Sequence, residues 1–565
     1  MKAATYWAEY LRRRGVRHAF GQGGLEAVEL LEALREVGID FVWFHHEAAA
    51  AFAAAATGEL TGLPGLCVAT RGPGATNMLT GVAHAWLDRA PVLAVSGDTD
   101  PTLKAALPHQ ELPLTRVFEP VVKRALTLTA DNLTTELPRA FDLAVAEPCG
   151  PVYLAFPQAE GRRAVEPGQA PPLNPGRSPT GDGGRGGDQH PAPITQHPKQ
   201  GAEGGARDSV ATAQTALARA VEWINVARRP LLYVGLGVQQ MAWERDLLAL
   251  AGRLGGPVVV TPKAKGHFPE DHPQFAGVYQ AYQDAPVKEL LRQADLVVGV
   301  GLDPVEMAKP WTFAAPVVNL APSPANAYFP VLLPVPLDGD AALAPLVERL
   351  SVQSAWPPDV VARTRQAIAA LLTPDWRGET PKGLTPQAVL RELRALLRSE
   401  AIVACDVGSH RQLTAQLWPA YWPKTFLTSN GLSSVGYALP AALAAKLACP
   451  DRQVACLIGD GGLLMFPGEL QTLSRLGLGV VVVVWADFGS SSTKLEHEKA
   501  GYPTQGGTFG GEADFAALAR SFGLWATTIE RPEEIRAKLR MALAQPGPAL
   551  VQVPVEYDVY RGMEL

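Results

Sequence analysis

Two aspartates, Asp460 and Asp487, each follow an uninterrupted apolar run, 454–458 and 480–485, and the first stands within Gly459-Asp460-Gly461-Gly462. Apolar runs without polar alternation predict strands buried on both faces, and open parallel sheets collect ligands at the carboxyl ends of such strands. The two carboxylates are therefore expected along one sheet edge. There they can offer hard oxygen ligands to a Mg²⁺ that keeps its other positions for diphosphate oxygens, while Gly461 and Gly462 let backbone N–H groups approach those oxygens. The pattern reads as a diphosphate-plus-magnesium site. Context carries that reading, because Gly and Asp are ordinary turn residues. Gly181-Asp182-Gly183-Gly184 repeats the tetrapeptide in a Pro/Gly-rich stretch with no strand before it, and there it predicts linker.

The elements that must hold such a site alternate along the whole chain. An amphipathic start through 30–37 is followed by strand-like 41–44, an Ala-rich helix over 47–57, and strands over 66–70, 92–95 and 151–157. This rhythm predicts a parallel sheet covered by helices, a first domain over 1–158. Residues 159–209 change character, with Pro-Pro, Pro-Gly and Arg-Gly-Gly in close succession, and read as a flexible linker unable to bury enough surface to fold. A second α/β domain is expected over 210–352, and a third over 385–565 with strands at 402–405, 454–458, 480–485 and 550–553. The predicted fold class is α/β, three successive parallel-sheet domains.

At 565 residues with 47% hydrophobic and 19% charged residues, the chain is long enough for about three domains with substantial cores. A net charge of −6 and a pI near 6.0 give no basic face for nucleic acid or an anionic membrane. The five cysteines form no Cys-x-x-Cys pair and read as core residues of a reducing compartment. No N-terminal charged segment leads into an apolar stretch, and no apolar run is long enough to cross a bilayer, so a cytoplasmic location is expected.

Three more motifs accompany the aspartates: His46-Glu47-Ala48-Ala49-Ala50, Gly72-Pro73-Gly74-Ala75-Thr76-Asn77, and Ser429-Asn430-Gly431 continuing to Gly436-Tyr437-Ala438-Leu439-Pro440. Together with Gly459-Asp460-Gly461 the set resembles the thiamine-diphosphate enzymes of the acetolactate synthase type, along all three domains. The resemblance implies a pyrimidine-binding N-terminal domain, a central domain and a diphosphate-binding C-terminal domain. It also implies a cofactor lying between two chains, hence a homodimer or a dimer of dimers. Glu47 matches the glutamate that hydrogen-bonds the cofactor's aminopyrimidine, which requires a carboxyl able to hold or share a proton. Val435, beside Gly436, matches the apolar residue that props the cofactor in its bent shape. Gly408, Ser409 and His410 match the diphosphate-binding turn, Asp460, Asp487 and Gly489 the magnesium site, Gly72 and Pro73 a turn at the cofactor or the active-site mouth, and Gln110 the substrate channel, with His109 and Lys123 in the same segment.

Departures from the family pattern are Arg71 for a small Ser, Ala486 before Asp487, Gly489-Ser490-Ser491 without a nearby aromatic, and Gly21-Gln22-Gly23-Gly24 for a Gly-x-Pro-Gly turn. Gly235-Leu236-Gly237 has Gln240 at the third glycine of a dinucleotide fingerprint and reads as strand-to-helix punctuation. One branch of the family carries FAD in the central domain. Gly277-Val278-Tyr279-Gln280 and Gly301-Leu302-Asp303-Pro304-Val305-Glu306 look more like the flavin-free catabolic acetolactate synthases, so bound FAD is not expected. The implied reaction is decarboxylation of a 2-oxo acid, pyruvate, and its ligation to a second pyruvate as 2-acetolactate. An aldehyde lyase, an acyl-CoA-linked decarboxylase and a flavin-linked pyruvate oxidase stay open within the family. Outside it, a nucleotide-cofactor oxidoreductase and a non-catalytic partner subunit stay open.

Overall fold

The computed structural model describes residues 1–100, 109–166, 205–239, 241–281, 283–322, 328–337, 343–372, 384–509, 511, 513–555 and 557–560. The second Gly-Asp-Gly-Gly copy and Gln240 lie outside the described residues. Among the described residues eighteen strands form three sheets of six, with every pairing between them parallel. The first sheet contains β1 His18–Gly21, β2 Asp40–Trp43, β3 Gly65–Ala69, β4 Val92–Asp98, β5 Arg124–Thr127 and β6 Pro151–Pro157. The second contains β7 Pro230–Val234, β8 Val258–Val260, β9 Phe275–Val278, β10 Leu296–Val300, β11 Val317–Ala321 and β12 Leu332–Pro336. The third contains β13 Ile402–Cys405, β14 Phe426–Thr428, β15 Val454–Gly459, β16 Val480–Ala486, β17 Trp525–Thr528 and β18 Ala549–Pro554.

The apolar runs form central strands because both faces are covered. All seven residues of β16 are buried, as are five of the six in β15. The helix expected over 47–57 extends to Thr61, where Gly62 closes it in the left-handed conformation. Two boundaries differ from the linker expectation: a short helix Gln158–Arg162 follows β6, and the helix Gly205–Val226 begins before residue 210.

First and third sheets share one strand order, β2-β1-β3-β4-β6-β5 and β14-β13-β15-β16-β18-β17. In each, the order in which successive strands are added reverses between β1 and β3 and between β13 and β15, and ligands settle in the crevice outside such a switch point. In the first sheet Glu26 lies there, accepting from Thr70 Oγ1 at 2.6 Å and pairing with Arg71 Nε at 3.2 Å. The central order is β12-β11-β10-β7-β8-β9, with its reversal between β10 and β7.

A buried charge cluster joins the three units. Lys263, from the central unit, places Nζ 2.8 Å from Glu59 Oε1 and 3.7 Å from Asp88 Oδ1, and donates to the Thr428 carbonyl at 3.1 Å. Asp88 also accepts the N–H groups of Asn430 and Gly431, at 3.0 and 3.1 Å, and lies 2.7 Å from His84 Nδ1. Against the cost of burial, Lys263, His84 and the Gly431 N–H hold the Asp88 carboxyl well below the usual carboxylate range.

Candidate active site

The register of the third sheet decides where its aspartates emerge. Gly459 pairs with Trp485, so Asp460 and Asp487 leave their strands at the same carboxyl edge, as expected. On the other side Cys405 pairs with Leu457 and the Asp406 N–H donates to the Leu457 carbonyl at 2.8 Å, which brings the turn Gly408-Ser409-His410 to that edge too.

Asp460 and Asp487 act on each other electrostatically. Burial pushes the Asp487 carboxyl up to about 7, the neighbouring Asp460 adds to the rise, and Lys494 opposes it. Burial also raises Asp460, against the Gly461, Phe488 and Gly489 N–H groups. Asp460 Oδ1 accepts the Gly461 N–H at 2.7 Å, whereas the buried Oδ2 has no hydrogen-bond partner among the described residues. A buried and a half-buried carboxyl that interact, with one orphaned oxygen, suit a divalent cation, whose charge would favour both ionised forms. Among the described residues no group of three or more His, Cys, Asp and Glu could hold a metal ion. Two carboxylates would leave the remaining positions of a bound cation to other oxygens, the way Mg²⁺ is usually held beside phosphates.

The turn after β16 is held in an unusual conformation. Phe488 has φ 53°, a region a bulky residue occupies only when its surroundings fix it. Ser491 Oγ donates to Asp487 Oδ2, and Gly489 forms a bridge with Thr508 while the Ser490 N–H donates to the Gly507 carbonyl at 2.8 Å. Opposite this turn, Ser409 Oγ lies 3.1 Å from Ser492 Oγ. Burial and the adjacent Arg411 lower His410 to about 3, so its ring is neutral, and its buried Nε2 has no partner among the described residues. A neutral imidazole and a serine hydroxyl can both donate to phosphate oxygens.

Asp406 is the residue that sequence reasoning missed. Fully buried, it accepts the Gly436 N–H on both carboxylate oxygens at 3.0 Å and the Ala438 N–H at 3.4 Å. Burial raises it to about 7 against those backbone donors. A Cβ on Gly462 would stand 1.9 Å from Asp406 Oδ2, so that close approach requires glycine. Gly436 has φ 91°, and the pinned turn presents the adjacent Val435 with 40% of its surface exposed. An aspartate directly after an apolar strand was the available signal, masked by how often Asp opens turns.

Glu47 begins the helix Glu47–Thr61, capped by His46 Nδ1, which accepts the Ala48 N–H at 3.1 Å. Its carboxyl is 4% exposed and Oε2 accepts from Asn77 Nδ2 at 3.1 Å. Asn77 lies on the helix Pro73–Leu87, opened by Gly72 at φ 61° with Pro73 as first residue. Gln110, itself at φ 57°, packs on that turn: a Cβ on Gly72 would meet Gln110 Cβ at 2.8 Å. Glu47, Gly72, Pro73 and Gln110 therefore form one cluster, and the diphosphate-edge residues form another. The two meet through His46, whose ring centroid is 5.1 Å from that of Phe466, which in turn packs on Gly436. Lys123, expected in the channel segment, donates to the carbonyls of Ala146 and Pro148 at 2.6 and 2.9 Å.

Comparison with known proteins agrees with this geometry. The chain matches the thiamine pyrophosphate enzyme N-terminal TPP binding domain over 1–114, the central domain over 217–345 and the C-terminal TPP binding domain over 406–553. It is 31% identical to the catabolic acetolactate synthase of Raoultella terrigena, over 97% of this chain and 94% of that protein. It is 27% identical to the acetolactate synthase of Bacillus subtilis (strain 168), over 99% and 94%. To the large subunit of acetolactate synthase isozyme 3 of Escherichia coli (strain K12) it is 28% identical, over 94% and 90%. With three matched domains in order and a relative aligned along nearly its whole length, this chain belongs to the thiamine-diphosphate-dependent enzymes of the acetolactate synthase type.

Proposed function

We propose that this enzyme decarboxylates pyruvate and joins the two-carbon remainder to a second pyruvate, releasing 2-acetolactate, with Mg²⁺ as the second cofactor. The observation that carries the proposal is the pair of interacting carboxyls, buried Asp460 and half-buried Asp487, with Asp460 Oδ2 unpartnered among the described residues, in a chain whose relatives are named acetolactate synthases. Asp460, Asp487 and the Gly489 carbonyl would hold the cation, and Gly408, Ser409, His410, Gly461 and Gly462 the diphosphate. Thiamine diphosphate, when bound, supplies the electron sink for carbon–carbon cleavage and ligation. The protein's part is to orient and to move a proton. Asn77 fixes the Glu47 carboxyl through Oε2, so that it can share a proton with the aminopyrimidine. Asp406 pins the turn from which Val435 would support the cofactor, and Gln110 would meet the substrate from the Gly72 turn.

Glu306 favours a flavin-free enzyme. Its carboxyl accepts the Leu236 N–H at 2.7 Å in the crevice between β7 and β10, occupying the donor a dinucleotide phosphate would take, and the Asp303 carboxylate lies in the same turn, paired with Arg89 at 2.8 Å. A second copy of the chain is expected to complete the site. Val435, Leu464, Met465 and Trp43, at 40, 48, 55 and 41% exposure, leave apolar surface near the mouth that a partner would cover. Among the described residues no helix is long and apolar enough to cross a membrane.

The test is to purify the protein, identify released cofactors by mass and absorption spectrum, and assay carbon dioxide and acetolactate from pyruvate with and without Mg²⁺. Acetolactate and carbon dioxide formed in equal amounts support the proposal. Free acetaldehyde, an acyl-CoA or a bound flavin as the result would replace it with another activity of the family.

A further inference from the structure

Lys494 belongs to none of the motifs that identify this enzyme, yet its side chain reaches the magnesium edge. It lies on the helix Ser491–Lys499, is 7% exposed, and Nζ sits 3.4 Å from the Asp487 carbonyl. A Cβ on Gly489 would stand 2.5 Å from both Cε and Nζ, and a Cβ on Gly507 would meet Cγ at 2.8 Å. The two glycines thus form the slot along which the lysine stem runs, and any larger residue at either would displace it. The same helix carries Ser491, bonded to Asp487, and Ser492, facing Ser409 of the diphosphate turn. Both aspartates feel the Lys494 charge.

A fixed ammonium beside two carboxylates and a diphosphate turn has a chemical consequence. A diphosphate brings several negative charges to an edge already holding Asp460 and Asp487, and Mg²⁺ is the usual means of making that tolerable. Here one positive charge is covalently part of the edge. We propose that Lys494 is a built-in cation of the diphosphate site, which contacts the cofactor's diphosphate alongside the divalent ion and lets this enzyme retain thiamine diphosphate when that ion is scarce. The inference rests on the cofactor placement proposed above and goes beyond it, since it assigns part of the cation's work to the chain itself.

Calorimetric titration of the apoprotein with thiamine diphosphate, at saturating Mg²⁺ and in EDTA, gives the ratio of the two dissociation constants. Lys494→Met keeps the stem in its slot and removes the charge; Lys494→Arg keeps the charge. The ratio should rise at least about tenfold in Lys494→Met, the effect of losing one charge-assisted contact, and stay near the natural value in Lys494→Arg. Circular dichroism and the melting temperature check that both variants fold. A ratio in folded Lys494→Met equal to or below the natural one overturns the inference while leaving the cofactor placement intact. A natural protein that binds no thiamine diphosphate even with Mg²⁺ overturns both.

Discussion

Glu47 makes its argument through one neighbour. Asn77 orients a carboxyl that is almost wholly buried, so Glu47→Gln changes the chemistry at one oxygen while keeping the shape. That variant should bind thiamine diphosphate within a few-fold of the natural affinity and lose about 10²–10⁴-fold in kcat, the usual range for a positioned proton-transfer group. Exchange of the cofactor's thiazolium proton, followed by NMR, should slow in parallel, and unchanged exchange would remove Glu47 from that role. Such residues were legible in the sequence where a special backbone or a paired position marked them: Asp460 and Asp487 each end an apolar strand, and Gly72 and Pro73 open a helix. Lys494 was not, and Asp406 was marked only by its place after β13, a signal it shares with ordinary turn aspartates. A single aspartate or lysine carries no periodicity, and what makes each of them matter is a neighbour far along the chain: Gly436 and Gly462 for the first, Gly489 and Gly507 for the second.

The helix bearing Glu47 owes its position to small side chains. Ala48 to Ala56 are all buried, and it packs so tightly on the helix Pro73–Leu87 that a Cβ on Gly81 would lie 2.4 Å from Ala51 Cβ and 2.8 Å from the Ala48 carbonyl. Gly81→Ala gains about 1 kcal/mol in helix propensity, but overpacking costs about 1–3 kcal/mol, more where backbone itself is struck. The expected outcome is net destabilisation in urea, with a fall in activity because Glu47 and Asn77 lie on the two helices being forced apart. The turn after β10 gives a pH prediction. Burial raises the Glu306 carboxyl to about 8, above the value of 4.5 expected for an unfolded chain. Its contribution to stability is therefore complete below about pH 4.5 and is lost as pH rises through about 8, because the folded state holds the proton longer than the unfolded state does. Melting temperatures measured from pH 5 to 9 should fall on the alkaline side, and Glu306→Gln should flatten that decline. Strand centres were visible in the sequence, since β13 and β6 begin and end where the apolar pattern does. Ends were less so: β4 continues through Ser96 to Asp98, polar residues that the sheet buries and a pattern of apolar letters stops short of.

Lys263 ties the three units into one cooperative body. With its ammonium and the carboxylates of Glu59 and Asp88 all but inaccessible to water, replacing Lys263 by Met leaves two buried charges without their partner, at a cost of about 3–5 kcal/mol. Chemical denaturation should show that loss, and Glu59→Gln in the same chain should restore part of it by removing one of the stranded charges. Nothing in the sequence announces this cluster, because its charged members, Glu59 and Asp88 of the first unit and Lys263 of the second, lie far apart in the chain and each reads alone as a surface charge. The shared strand order of the outer sheets has a different bearing on how the molecule works. Both frameworks offer an equivalent crevice, but in the first a resident carboxylate, Glu26, already occupies it on Thr70 and Arg71, whereas in the third the corresponding edge keeps Asp460 Oδ2 and His410 Nε2 without partners among the described residues. A handful of loop atoms thus separates twin scaffolds: the reversal crevice of one is filled by the chain's own carboxylate, while that of the other keeps polar atoms open to a guest.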